Sequence, residues 1–219
     1  MPLNKSKGNM YEFVTHTWNT IKGACPHDCS YCYMKRWGKL NPVRFDEKEL
    51  KTDLGSGNFI FVGSSCDMFA DSIPRDWIVK TLQKTHEVES VNNFLFQTKN
   101  PIRINDNYLP MSSIVCTTIE TNRWYKEIMR NSPHPLQRRN GMLDIDLQKY
   151  LTIEPIIDFD LEEFVSMIDD ICPDQVNIGA DSGGHSLPEP PKEKVKELIQ
   201  ALEEFTTVHQ KSNLKRLLR

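Results

Sequence analysis

Six short apolar segments of strand length recur along the 219-residue chain, and polar turns and helical segments separate them. The six segments cover residues 11–18, 58–63, 92–98, 112–118, 149–155 and 175–181. One intervening segment has the i, i+3, i+4, i+7 spacing of a buried helix face, through Leu161, Phe164, Val165, Ile168 and Ile171. Nearly continuous apolar strands that alternate with such helices are typical of a parallel sheet covered on both faces. The pattern therefore predicts an α/β fold of six βα units.

Length and composition predict one domain, residues 1–219, with a C-terminal helix at about 190–209 and a long loop at 130–143. The net charge of −3 gives no global basic field of the kind that attracts nucleic acids. The N-terminus has no apolar signal segment, and no run reaches the roughly 20 apolar residues that span a bilayer. We therefore expect a soluble, cytoplasmic protein without a membrane partner.

Polar residues follow each predicted strand. In parallel α/β folds, the loops at the carboxyl ends of the strands carry the functional side chains. The candidate loops are the cysteine-rich stretch after the first strand, 63–71, 97–101, 117–123, 154–155 and 180–184. A binding site is therefore expected at this edge of the sheet.

Three cysteines stand within eight positions in the loop 22–37, with the spacing C-x3-C-x2-C: Cys25, Cys29 and Cys32. Thiols of an intracellular chain stay reduced, so this cluster predicts a metal site rather than disulfides. A 4Fe-4S cluster normally takes four cysteines, and three leave one iron open for chemistry. The alternative is a zinc site completed by His27 or His16, although no second cysteine pair is present. Cys116 and Cys172 are interpreted as small buried hydrophobes.

The spacing, with Tyr31 just before the third cysteine, resembles the signature of the radical S-adenosylmethionine (radical SAM) superfamily. The resemblance implies a partial (β/α)6 barrel and one 4Fe-4S cluster on Cys25, Cys29 and Cys32. It also implies that S-adenosylmethionine (SAM) binds the open iron and is cleaved reductively to a 5′-deoxyadenosyl radical, which abstracts hydrogen from a substrate. A flavodoxin or ferredoxin-type protein would supply the electron.

The stretch "CPHDCSYCY" is similar to the cluster loop of the spore photoproduct lyase family, and "FLFQTKNP" resembles that family's third strand. This resemblance assigns Lys99 to the SAM carboxylate, where the alternative is a solvated charge. It assigns the methionine amino group to the second-strand exit. The candidate residues at that exit are Ser64, Ser65 and Asp67.

Later strand exits supply the other candidate SAM contacts. Ribose or carboxylate contacts are expected from Thr118, Glu120 or Arg123. Glu154 either ends its strand or faces the barrel mouth, where it would contact SAM or substrate. Asp181 and Ser182 either cap the last helix or form the adenine end of the site.

Over the greatest length, from Thr17 to about Gly184, the order of motifs resembles a phage- and prophage-associated radical SAM family of unassigned function. Cys66 has a counterpart in spore photoproduct lyases, where a cysteine donates a hydrogen atom to the substrate radical. Here Asp67 follows it immediately, which departs from the lyase pattern, and an inert packed thiol is the alternative.

The lyase resemblance and the arginines of the 130–143 loop favour a nucleic acid or nucleotide substrate. Those arginines, Arg130, Arg138 and Arg139, are equally compatible with a solvated loop. A non-enzymatic iron–sulfur or zinc module, for redox sensing or nucleic-acid binding, is the competing function.

Overall fold

A computed structural model describes residues 3–6, 11–104 and 108–219. Within them, eight strands form the main sheet: β1 Asn4–Lys5, β2 His16–Trp18, β5 Phe59–Val62, β6 Asn93–Thr98, β7 Ser113–Thr118, β8 Gln148–Ile153, β9 Gln175–Ile178 and β10 Thr207–Gln210. They lie side by side in this order. The edge strand β1 is antiparallel to β2, and the other seven strands run parallel. The predicted α/β class is confirmed, because each of the six predicted segments overlaps one parallel strand.

The connections are mostly helical, as parallel strands require. The helices are α1 Arg75–His86, α2 Lys126–Met129, α3 Pro135–Leu143, α4 Leu161–Ile171 and α5 Lys192–Glu203. A two-stranded antiparallel ribbon, β3 Ile21–Lys22 with β4 Arg44–Phe45, brackets the cysteine loop.

Two elements differ from the sequence prediction. The last helix ends at Glu203, and residues 207–210 form a seventh parallel strand beside β9. The 130–143 segment is not one long loop, because α3 begins at Pro135 behind a capping box formed by His134 and Gln137. Proline suits the first turn of a helix, where its missing N–H costs no hydrogen bond.

The two faces of the sheet are covered differently. One face packs against the helices through alternate strand residues such as Phe96, Val115 and Ile153, all fully buried. Burying each such side chain contributes roughly 1.5–3 kcal/mol. The opposite face carries a smaller apolar cluster in which Tyr11 and Val14 cover Phe61 and Leu95. The N-terminal segment therefore covers this face of the sheet.

None of the helices in the described residues is both long enough and apolar enough to cross a bilayer.

Candidate functional site

The cysteine loop follows β2 and β3 and is hydrogen-bonded to α2 and to the segment after it. Ser30 N donates to Ile128 O at 2.9 Å, and Asn131 N donates to His27 O at 3.1 Å. Asp28 has a left-handed φ of 51° and pairs with Lys35 at 2.7 Å. These contacts hold the loop at the carboxyl end of the sheet, where the sequence predicted it.

The three loop thiols lie near one another. Burial raises the pKa of Cys32, and the neighbouring Cys25 and Cys29 raise it further. A hydrogen bond from Cys66 lowers the pKa of Cys25 to about 6 against the opposing effect of burial. The Cys29 Sγ lies 3.3 Å from the Ser132 Oγ. All three thiols are free, as soft thiolate ligands of an iron–sulfur or zinc site must be.

Within the described residues, no three side chains of histidine, cysteine, aspartate or glutamate are arranged closely enough to hold a metal ion. The donor chemistry nevertheless fits a sulfur-ligated group, because three thiols come from one short loop and Cys25 is readily deprotonated near neutral pH. Cys25, Cys29 and Cys32 are the residues that would hold such a group.

Asp67 joins the cysteine loop to two strand exits. One carboxylate oxygen accepts from His27 Nε2 at 2.8 Å, Thr98 Oγ1 at 2.9 Å and Lys99 N at 2.8 Å. The other oxygen accepts from Phe69 N at 2.9 Å. Burial would raise its pKa, but His27 and the backbone donors outweigh this and lower it. Protein donors thus engage both oxygens of Asp67, which had been predicted to bind a methionine amino group.

Ser64 and Ser65 lie at the same exit and share one partner. Asn19 Oδ1 accepts from Ser64 Oγ at 3.2 Å and from Ser65 N at 2.9 Å. The exposed Tyr33 donates its hydroxyl to Ser64 O at 2.9 Å. The β5 exit is therefore tied both to β2 and to the residue that follows Cys32. Cys66, at this exit, is buried. Of the two cysteines predicted to be small buried hydrophobes, Cys116 is buried, but the prediction is wrong for Cys172, which is exposed after the end of α4.

Glu120, after β7, is the centre of a buried ionic network. Its carboxylate lies 2.9 Å from Lys99 Nζ and 2.7 Å from Arg138 Nη1, and it also accepts from the Tyr31 hydroxyl. Burial opposes ionisation, but Arg138 and Lys99 dominate and lower the pKa of Glu120 to about 2. Within the described residues, Lys99 and Arg138 share this one carboxylate, so the network carries one net positive charge.

The burial of Arg138 contradicts the prediction of a basic surface loop. It is fully buried, and it donates to Thr118 O at 2.9 Å and Pro133 O at 2.7 Å as well as to Glu120. The other two arginines of the 130–143 segment pair with different acids, Arg130 with Asp28 and Arg139 with Asp170, each at 2.5 Å. These three arginines therefore do not form one exposed basic cluster.

A polar layer crosses the sheet face that Tyr11 covers. Gln97 Nε2 donates to Thr118 Oγ1 at 3.0 Å, and the Tyr11 hydroxyl lies 2.5 Å from Thr152 Oγ1. Tyr11 also contacts Cys116 Sγ at 3.6 Å. Burial raises the pKa values of Tyr11 and Cys116, so both groups stay protonated at neutral pH. These polar side chains therefore lie on this face of the sheet next to the strand exits.

Two residues that the sequence analysis did not predict, Lys211 and Asn213, lie beside the candidate residue Glu154. Glu154, after β8, pairs with Lys211 at 2.5 Å and accepts from Asn213 Nδ2 at 2.6 Å. The Glu154 side chain lies at the carboxyl edge of the sheet, and its contact with SAM or substrate stays a prediction. Lys211 and Asn213 follow β10, which had been assigned to a helix, so nothing placed them here. The only sequence signal was the β-branched pair at Thr207 and Val208.

The remaining candidates mainly stabilise loops. Arg123 pairs with Asp158 and, through two nitrogens at 2.8 and 2.5 Å, with Asp160. Asp181 accepts from Gly183 N at 2.9 Å and His185 N at 2.5 Å, so it closes its own loop. It does not cap α5, whose N-cap is Pro191. Ser182 Oγ accepts from Asn213.

The chain matches no protein-family model, and no curated protein sequence is significantly similar to it. Among solved structures, a cysteine-to-serine variant of spore photoproduct lyase has a TM-score of 0.65 at 10% identity, covering 93% of this chain and 78% of that chain. A double variant of the lyase with bound AdoMet and dinucleoside spore photoproduct has a TM-score of 0.63 at 10% identity, covering 95% and 80%. Methylornithine synthase has a TM-score of 0.53 at 10% identity, covering 88% of this chain and 63% of that chain. These likenesses show that the fold is of the partial-barrel α/β type.

Proposed function

We propose that the protein is a radical SAM enzyme. One observation carries the proposal: three free thiols lie in the loop at the exit of the first parallel strand. That loop has no fourth cysteine. The fold supports it, because spore photoproduct lyase and methylornithine synthase are both radical SAM enzymes. Membership of the phage-associated family stays a prediction.

Cys25, Cys29 and Cys32 would hold a 4Fe-4S cluster and leave one iron open. When bound, the cluster and SAM supply a 5′-deoxyadenosyl radical by one-electron reductive cleavage. The protein's own task is to bind, orient and shield these groups. Asp67 contributes by holding His27, in the cysteine loop, against Thr98 and Lys99 at the β6 exit.

Lys99 and Arg138 are suited to bind the carboxylate of SAM. Glu120 neutralises only one of the two cations, and Arg138 Nη2 is buried without a hydrogen-bond partner among the described residues. A SAM carboxylate beside Lys99 would balance the second positive charge, which is only partly exposed to solvent. Tyr31, between Cys29 and Cys32, has the Lys99 ammonium 5.4 Å from its ring centre.

The substrate is proposed to be a nucleic acid or nucleotide. Support comes from the likeness to spore photoproduct lyase, one structure of which holds a dinucleoside spore photoproduct. The proposed hydrogen donor is Cys66, which stays protonated because its hydrogen bond with Cys25, together with burial, raises its pKa. The electron is proposed to come from a flavodoxin or ferredoxin-type protein.

Anaerobic reconstitution with iron and sulfide, followed by dithionite and SAM, tests the proposed function. We expect a brown protein that produces 5′-deoxyadenosine and methionine. Cys29→Ala should abolish both the colour and the cleavage, whereas Cys172→Ala, at an exposed cysteine outside the site, should preserve them. A colourless protein that carries stoichiometric zinc and leaves SAM intact would refute the proposal in favour of a zinc module.

A further inference from the structure

Residues 33–44 form a surface segment that begins directly after Cys32. The segment starts with a short 3₁₀ helix, Tyr33–Trp37, and reaches β4 at Arg44, where the chain pairs with β3 ahead of the cysteine loop. At its first residue, the Tyr33 hydroxyl donates to Ser64 O at 2.9 Å. The 33–44 segment is therefore held beside the cysteine loop at both of its ends.

Two aromatic side chains of the segment are open to solvent. Tyr33 is 50% exposed and Trp37 is 67% exposed. The Arg36 guanidinium stacks on both rings, 5.6 Å from the centre of Tyr33 and 4.9 Å from the centre of Trp37. Tryptophan, tyrosine and arginine are the residue types that most often dominate the binding energy of protein interfaces. These three side chains therefore have the composition of an interface centre.

The segment is also basic. From Cys29 to Phe45 the sequence contains no aspartate or glutamate and four cations, Lys35, Arg36, Lys39 and Arg44. Lys35 pairs with Asp28, whereas the other three are exposed and form no ion pair within the described residues. The net charge of the chain is −3, so this positive charge is local. The segment is therefore complementary to an acidic surface.

The position and the stacking of the segment select the kind of partner. Under the proposed function, an electron must reach the group that the loop thiols hold, and Tyr33 directly follows the third of those thiols. Nucleic acid is the other acidic occupant, and it would stack its bases on free aromatic faces. Arg36 already covers one face of each ring, and guanidinium and ammonium groups bind carboxylates directly. These observations favour an acidic protein.

We propose that the 33–44 segment is the docking surface for an acidic one-electron carrier protein. Arg36 and Lys39 contact carboxylates of the carrier, and Trp37 packs against it. The reduced carrier loses one electron, which passes to the group held by the loop cysteines, and no bond forms or breaks in this step. The inference rests on the proposed function and adds the surface at which the electron enters.

Isothermal titration of the anaerobically reconstituted protein with purified carriers tests the surface. The probes are a flavodoxin and a ferredoxin, both acidic one-electron carriers. We expect at least one to bind, and to bind more weakly as NaCl is raised from about 50 mM to about 500 mM, because salt screens the charges. Absence of binding by both carriers, or binding that salt does not weaken, would overturn the proposal. This comparison uses the unaltered protein, so it holds even where a variant fails to fold.

Charge reversal locates the binding surface. Arg36→Glu should weaken carrier binding at least about tenfold at low salt, because like charges then face each other. Trp37→Ala should weaken it at low and at high salt, since the lost contact is apolar. Lys215→Glu makes the same charge change at an exposed lysine after β10 and is the matched control, for which we expect unchanged affinity. Equal weakening in Arg36→Glu and Lys215→Glu would contradict docking at this segment.

The choice of reductant separates this surface from the proposed function. Dithionite is small and needs no docking surface, so Arg36→Glu should cleave SAM with dithionite at the unaltered rate but lose cleavage driven by a subsaturating reduced carrier. Absence of dithionite-driven cleavage in the unaltered protein counts against the proposed function, whereas dithionite-driven cleavage without carrier binding counts against the surface alone. Displacement of the bound carrier by an equal concentration of a single-stranded oligonucleotide would overturn the choice of a protein over a nucleic acid.

Discussion

Arg138 and Glu120 form an ion pair at 2.7 Å in which both side chains are fully buried. Arg138 comes from α3, and Glu120 follows β7. Tyr31 of the cysteine loop and Lys99 of the β6 exit also contact the Glu120 carboxylate. This pair therefore links the packing of a helix to the geometry of the cysteine loop.

Removal of one partner of this pair should be strongly destabilising. Arg138→Leu leaves Glu120 with Lys99 as its only cation, and breaking a buried pair costs roughly 3–5 kcal/mol. Chemical denaturation should show this loss in the free energy of unfolding. Arg139→Ala removes a partly exposed pair with Asp170 and is the matched control, with an expected change of at most about 1 kcal/mol. Similar losses in both variants would contradict the burial of the pair.

The low pKa of Glu120 predicts a dependence of stability on pH. Its value of about 2 in the folded protein lies below the ordinary value of about 4.3. The folded state therefore favours the ionised form, and this contribution, on the order of 3 kcal/mol, is present above pH of about 4.3 and is lost as the pH falls towards 2. Unfolding measured from pH 6 to pH 2 should show a shallower acid loss in Glu120→Gln. An unchanged slope would show that other carboxylates account for the acid sensitivity.

The Asp67–His27 contact predicts a coupled titration. Burial lowers the pKa of His27, but Asp67 outweighs burial and raises it above its ordinary value. Asp67→Asn removes that negative charge, so the His27 pKa should fall below about 6.5 as desolvation takes over. Histidine proton NMR titration measures the change. Asp46→Asn, whose carboxylate pairs with Lys22 instead, should leave the His27 resonance in place. A His27 pKa that does not fall in Asp67→Asn would contradict this contact.

Cys66→Ala tests the proposed hydrogen donor. The variant should still cleave SAM, because the three loop cysteines remain, but its substrate product should be altered or trapped as a radical adduct. Cys116→Ala is the matched control, since that thiol is also buried but forms hydrogen bonds with Tyr11 and Thr152. Identical product distributions in Cys66→Ala and the unaltered protein would remove Cys66 from the mechanism.

Gly179→Ala tests the packing around Glu154. The added methyl group meets the Glu154 carboxylate at 2.8 Å, and overpacking of this kind costs about 1–3 kcal/mol. Thermal unfolding should therefore shift to lower temperature. The shorter Glu154→Asp side chain should relieve part of the clash in a double variant. Full additivity of the two changes would argue against contact between positions 179 and 154.

The six segments of strand length and the spacing of the loop cysteines are local patterns, so the sequence by itself determined the parallel α/β class and the position of the cysteine loop. The strand-exit rule also brought Lys99 and Glu120 to one edge of the sheet before any contact was known. The chemistry at that loop follows from residue type and spacing, which do not depend on long-range packing.

Only the tertiary structure decided the pairing of those residues. Arg138 reads as a loop cation, but α3 buries it against Glu120, 18 residues away in sequence. The segment 207–210 reads as a helix end, because its few apolar residues carry little periodicity, yet pairing with β9 makes it a strand. That pairing alone brings Lys211 and Asn213 to Glu154, 57 and 59 residues away. Burial and strand pairing are set by distant neighbours, and for that reason the local sequence could not reveal this second group of the candidate site.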